Sequence, residues 1–181
     1  MGAQSLPELL TVDEYERISD SPGGRYELHH GELVFMTYPS RQHKDLQRRL
    51  RKMLEPIAEP CGFLVDTEYP YRLLPESEVW AADVACLTKS RNDQAEKWLA
   101  GSPELVIEVK SPSNTAEELH NKAMTTLAGA GAVEFWVVDP KTASVAVYSK
   151  ASGVGLYRAP IAVSVPILET WIDLEVLFAP F

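Results

Sequence analysis

The chain has 181 residues, 45% of them hydrophobic and 24% charged, with a formal net charge of −9 and a pI near 4.9. Those proportions suit a single globular domain over residues 1–181 and exclude a surface that is basic throughout and binds nucleic acid everywhere. No apolar run reaches the roughly 18 residues of a membrane span, and "MGAQSLPELL" lacks the pattern of a secretory signal, so a soluble cytoplasmic protein with no membrane partner is expected. Cys61 and Cys86 form neither a disulfide framework nor a zinc pattern, and read as small core residues in a reducing compartment.

Thr11 caps a short helix through "VDEYERIS", expected over 8–19 and ended by "SPGG"; the core follows from about 25 to 178. "RYELHHGELVFMT" reads as a hairpin turning at His30-Gly31. "PSRQHKDLQRRLRKMLEPIAE" is the clearest helix, because Leu46, Leu50, Met53, Leu54 and Ile57 recur at helical spacing. His43 falls on that apolar side, and the basic residues mostly take the other. Arg41, Lys44, Arg48, Arg49, Arg51 and Lys52 face a single acid, Asp45, so this stretch is +5 and the rest of the chain −14. A solvated helix face accounts for it; a phosphate-contacting patch on an acidic body is the sharper reading.

"FLVDTEYPYRLL" and "AADVACL" read as strands, "EKWLAGSPE" as a loop or helical turn, and "ELVIEVK" as a strand. Thr115 and Glu118 have capping-box spacing, which predicts a helix from about Ala116 to Ala128, stopping near Gly129 and Gly131. "VEFWVVD" and "SVAVYSK" are strands joined at Pro140-Lys141, and "GVGLYRA" is another; "ETWIDLEVLF" fits a strand or a short helix. The order defines an α/β or α+β domain with a mixed sheet, in which the helix after "ELVIEVK" crosses over to a parallel strand.

Side chains alternate along a strand, so Glu108 and Lys110 share a face of "ELVIEVK" with Val106, roughly 7 Å apart. On those two residues alone, an ion pair at a strand end is the cheaper account. Asp83 in "AADVACL" changes the balance. If the two strands are neighbours, two carboxylates meet, and they repel unless a cation lies between them. Oxygen donors of this kind suit Mg²⁺ or Mn²⁺, and a lysine beside them can assist a water and stabilise developing negative charge. The pattern reads as metal-dependent phosphodiester hydrolysis.

"YELHHGELVFM", the helix opening with His43, "AADVACL", "PELVIEVKSPSNTAEEL" and "GAVEFWVVDP" together resemble the Uma-two family of restriction-endonuclease-like proteins, in the PD-(D/E)XK nuclease superfamily. The resemblance implies a restriction-endonuclease-like mixed β-sheet flanked by helices. It implies metal ligation by Asp83, Glu108 and the Val109 backbone carbonyl, with Lys110 as catalytic lysine and Glu27 and His43 as further site residues. The chain departs from the family at Ala82, where a proline is usual, and at Leu127, where a tyrosine is expected. Lys122 stands one residue out of the expected register.

Each secondary candidate also has a plainer account. Glu27 can pair across the hairpin, and His43 can be a packed histidine. Glu118 is a capping-box acid, and Lys122 follows it at the i,i+4 spacing of a surface ion pair. Glu134 and Trp136 share a face and read as packing. Trp80, Trp98 and Trp171 show no interleaving with basic residues, so base stacking is not indicated. The expected function is a Mg²⁺-dependent endonuclease contacting DNA through Arg41, Lys44, Arg48, Arg49, Arg51 and Lys52, as a possible homodimer. The alternatives are a silent nuclease-fold binding or assembly module, and a hydrolase of another phosphodiester such as RNA.

Overall fold

The computed structural model describes residues 9–18, 24–73 and 78–180. The N-terminal helix is shorter than expected: α1 is Val12–Tyr15, started by a full Thr11–Glu14 capping box. Residues 8 and 19, the expected ends, lie outside the described residues, as does most of "SPGG". The strands β1 (Gly24–His29) and β2 (Glu32–Thr37) form the anticipated hairpin. His30 and Gly31 both take positive φ, 52° and 82°, which is the two-residue turn that suits the twist of paired strands.

A seven-stranded mixed sheet follows, in the order β5-β3-β4-β6-β7-β8-β9. Its members are β3 (Phe63–Arg72), β4 (Trp80–Thr88), β5 (Leu99–Ala100), β6 (Leu105–Val109), β7 (Glu134–Asp139), β8 (Ser144–Ser149) and β9 (Gly153–Arg158). β6 and β7 are parallel neighbours, and the helix between them is α4 (Ala116–Ala128), with the predicted Thr115–Glu118 box at its start. "EKWLAGSPE" contains the two-residue strand β5, and a short helix α3 (Lys89–Asp93) was not foreseen. "ETWIDLEVLF" is both of its alternatives in turn: β11 (Thr170–Asp173), paired with β10 (Ala162–Val165), then α5 (Leu174–Leu177).

The sheet has a core on each face. On one, Leu46, Leu50 and Leu54 of α2 (Arg41–Ala58) pack on Val84, Cys86, Leu105, Ile107, Val109 and Trp136, with Leu174 and Leu177 closing the end. On the other, Leu119 and Ala123 of α4 cover Tyr71, Ala82, Ala85, Leu87, Val106 and Phe135. Alternation would put Ala82 and Val84 on one face, yet they belong to opposite cores, so β4 changes face at Asp83.

Candidate active site

Asp83 sits where the sheet ladder opens. β4 and β6 pair at Cys86–Leu105, Ala85–Val106 and Val84–Ile107, and the next rung, Asp83 opposite Glu108, is missing. On the other side β3 pairs with β4 at Thr67–Val84 and Tyr69–Ala82 but skips Glu68–Asp83. Glu68 there has φ 54°, a left-handed backbone that costs a residue with a Cβ some strain. The gap is filled by side chains. Asp83 Oδ2 accepts the Val109 N–H at 2.7 Å, and Oδ1 accepts from Gln47 Nε2 at 2.9 Å. Gln47 Nε2 also donates to Glu68 Oε1 at 2.5 Å. His43 Nε2 stands 2.9 Å from Asp83 Oδ1 but off the line of a hydrogen bond. Both residues come from one face of α2, four positions apart, a single turn of helix.

Glu108 lies on the α4 side with Lys122, whose Nζ is 3.1 Å from Oε1 without hydrogen-bond alignment. Both side chains are only 12% exposed. Lys122 Nζ also donates to the Ala81 carbonyl at 3.3 Å and lies 5.7 Å from the Trp80 ring centroid. The expected surface pair with Glu118 is therefore wrong. Lys122 turns inward because it shares the buried stripe of Leu119, Ala123 and Thr126, while Glu118 remains with its cap. Lys110 Nζ is engaged elsewhere, 3.0 Å from Asp139 Oδ2 at the end of β7, with its side chain 36% exposed.

Glu27 is buried at the rim of this cluster. It accepts from the Ala81 N–H at 3.3 Å, stands 2.9 Å from His29 Nε2, and pairs loosely with Arg25 at 3.4 Å. Arg25 also pairs with Glu68. Burial would raise the Glu27 carboxyl, but Lys122, His29 and Arg25 outweigh it and hold the group down at about 2. Glu108 moves the other way, to about 8, because burial and the charges of Asp83 and Glu27 exceed the help from Lys122. Burial opposes the charge on Lys122, yet Glu108 and Glu27 hold its proton firmly.

The structure thus brings Asp83, Glu108, Glu27 and His43 into one neighbourhood and adds Gln47, Glu68 and Lys122. Gln47 had a readable signal, a polar residue on an apolar helix stripe; Glu68 had none. Among the described residues no three His, Cys, Asp or Glu side chains converge closely enough to enclose a metal by themselves. The donor chemistry nonetheless fits Mg²⁺ or Mn²⁺, which need one or two carboxylates and keep several waters. The buried Glu108 Oε1, without an aligned donor, points the same way.

Two other expectations change. Trp98 has basic neighbours after all: Lys97 Nζ is 4.6 Å and the Arg72 guanidinium 5.9 Å from its ring. The basic run of α2 is partly spent on the fold. Arg49 donates to the carbonyls of Val176, Leu177 and Ala179, and Arg51 pairs with Glu55 and Asp66. Arg41 and Arg48 share Asp45. Lys44 and Lys52 make no ion pair among the described residues. Glu134 accepts from Trp136 Nε1 at 2.9 Å, so it satisfies the buried indole that it packs beside.

A mixed sheet flanked by helices, opened at an acidic strand end, is the architecture of a nuclease fold. A solved structure from Anabaena variabilis ATCC 29413, described as a putative nuclease belonging to DUF820, superposes with a TM-score of 0.80 at 19% identity. The match covers 94% of this chain and 98% of that one. The chain belongs to the Uma2 family, described as "Putative restriction endonuclease", which matches residues 12–175. No curated protein matches it.

Proposed function

We propose that the protein is a divalent-metal-dependent endonuclease that hydrolyses DNA phosphodiester bonds. The observation that carries this reading is the set of carboxylates, the buried Glu27 and the mostly shielded Asp83 and Glu108, gathered with Lys122 where the ladder opens. Asp83 and Glu108, with the Val109 carbonyl, would hold Mg²⁺ or Mn²⁺. When bound, such an ion supplies polarisation of the phosphoryl group and an acidified water.

The protein's own groups do the rest. Gln47 and the Val109 N–H fix the Asp83 carboxylate, and His43 borders it. Lys122 is already in place to face developing negative charge, whereas Lys110 reaches the centre only by leaving Asp139. Lys44 and Lys52, with Arg41 and Arg48, which share Asp45, lie on the same helix as His43 and Gln47. They provide backbone contacts beside the site on an otherwise acidic surface.

A silent binding or assembly module is the second reading, favoured by one observation: Lys122 already occupies Glu108 without an ion. Incubation with supercoiled plasmid and, in parallel, single-stranded RNA separates the readings. Nicking of plasmid with Mg²⁺ or Mn²⁺, abolished by chelator and weakened by salt, is expected. Intact DNA under every divalent condition contradicts the proposal, and cleavage confined to RNA moves the substrate.

A further inference from the structure

The carboxylates of the site are not equally provided for. Asp83 is served by Gln47, His43 and the Val109 N–H, and Glu27 by His29, Arg25 and the Ala81 N–H. Glu108 has one close cation among the described residues, Lys122, which is supplied by a helix on the far side of the sheet from α2. The contact is short at 3.1 Å and shielded, yet misaligned for a hydrogen bond. A divalent ion would need the same carboxylate.

We infer that Lys122 is an internal cation that competes with divalent metal for Glu108 and thereby sets the metal affinity of the site. This rests on the metal site proposed above and goes beyond it. A lysine that served only to anchor α4 would leave ion binding untouched. A lysine that merely faced the substrate would do the same in substrate-free protein. A competing counter-ion makes the unusual demand that removing it tightens metal binding. It also faces the charges of Glu27 and Asp83 before an ion arrives, and like charges in a shielded site repel strongly when nothing neutralises them.

The test is calorimetric titration of Mn²⁺ into ion-free wild type, Lys122→Met and Lys122→Arg, with thermal melts with and without Mn²⁺. Lys122→Met keeps the length of the chain and removes the charge. It is expected to bind Mn²⁺ about tenfold more tightly, or better, and to melt lower than wild type until Mn²⁺ restores it. Lys122→Arg keeps the charge and should stay within about threefold of wild type on the same reasoning. Equal or weaker binding by Lys122→Met overturns the inference and leaves the metal site standing. No binding by either wild type or Lys122→Met removes the metal site itself, and the inference with it. If Lys122→Met folds only in Mn²⁺, at concentrations below those that saturate wild type, the competition is supported. Failure to fold at any Mn²⁺ concentration counts against it.

Discussion

Asp83→Ala is expected to lower Mg²⁺-dependent plasmid cleavage by more than about a hundredfold while leaving the circular dichroism of the protein unchanged. Asp83 occupies the one place where β4 loses its partner on both sides, so its replacement breaks no strand pairing. What the variant loses is the acceptor of Gln47 and of the Val109 N–H, and with it one of the two carboxylates proposed to hold the ion. The lysines should rank in an order the Glu-X-Lys motif alone does not give. Lys122→Ala is expected to cost more cleavage than Lys110→Ala, because Lys122 is in contact with Glu108 and Lys110 with Asp139. A larger loss in Lys110→Ala would return the role to the strand lysine.

The ion-free protein should lose stability as the pH rises from 5 to 8. Glu108 is the source. Its carboxyl titrates near 4.5 when unfolded and at about 8 when folded, so between those values the folded state keeps a proton the unfolded state has released. The stability held by the neutral group is fully present below 4.5 and is lost as the pH climbs through about 8. Neither neighbour titrates in that window. Glu27, lowered to about 2, contributes stability that is present above 4.5 and lost as the pH falls through about 2. Lys122, raised above 10.5, loses its contribution only in stronger base. Denaturant unfolding at several pH values, with chelator present, measures the slope. In Glu108→Gln the slope should flatten; an unchanged slope would place the titrating group elsewhere.

The strands and the helix that frame the candidate site are legible in the sequence. The apolar runs around Asp83 and Glu108 marked strands whose adjacency the sequence left open and the sheet supplies, and Thr115 with Glu118 marked the helix that crosses between β6 and β7. Strand alternation put Glu108 and Lys110 on one face, but it cannot tell which partner each side chain finds beyond the strand end. Lys110 found Asp139 across the parallel neighbour. Lys122 was legible in principle, since it falls on the helical stripe of Leu119, Ala123 and Thr126; its spacing from Glu118 concealed that. Glu68 was not legible, because a left-handed glutamate inside a strand follows from the interrupted ladder and from no local signal. The cations around Trp98 come from residue 97 and from β3, and only the second is distant in sequence. The basic run of α2 shows the opposite limit: composition counts charges, and only the fold shows that Arg49 and Arg51 are already occupied.

The proposed nuclease site requires that Asp83 and Glu108 share one divalent ion. Titrating Mn²⁺ into ion-free wild type, Asp83→Asn and Glu108→Gln, followed by the paramagnetic resonance signal of free Mn²⁺, tests it most directly. One site is expected in the wild type, with a loss of about tenfold or more in affinity in each variant. Wild-type binding retained in both variants, or none in the wild type, would contradict it.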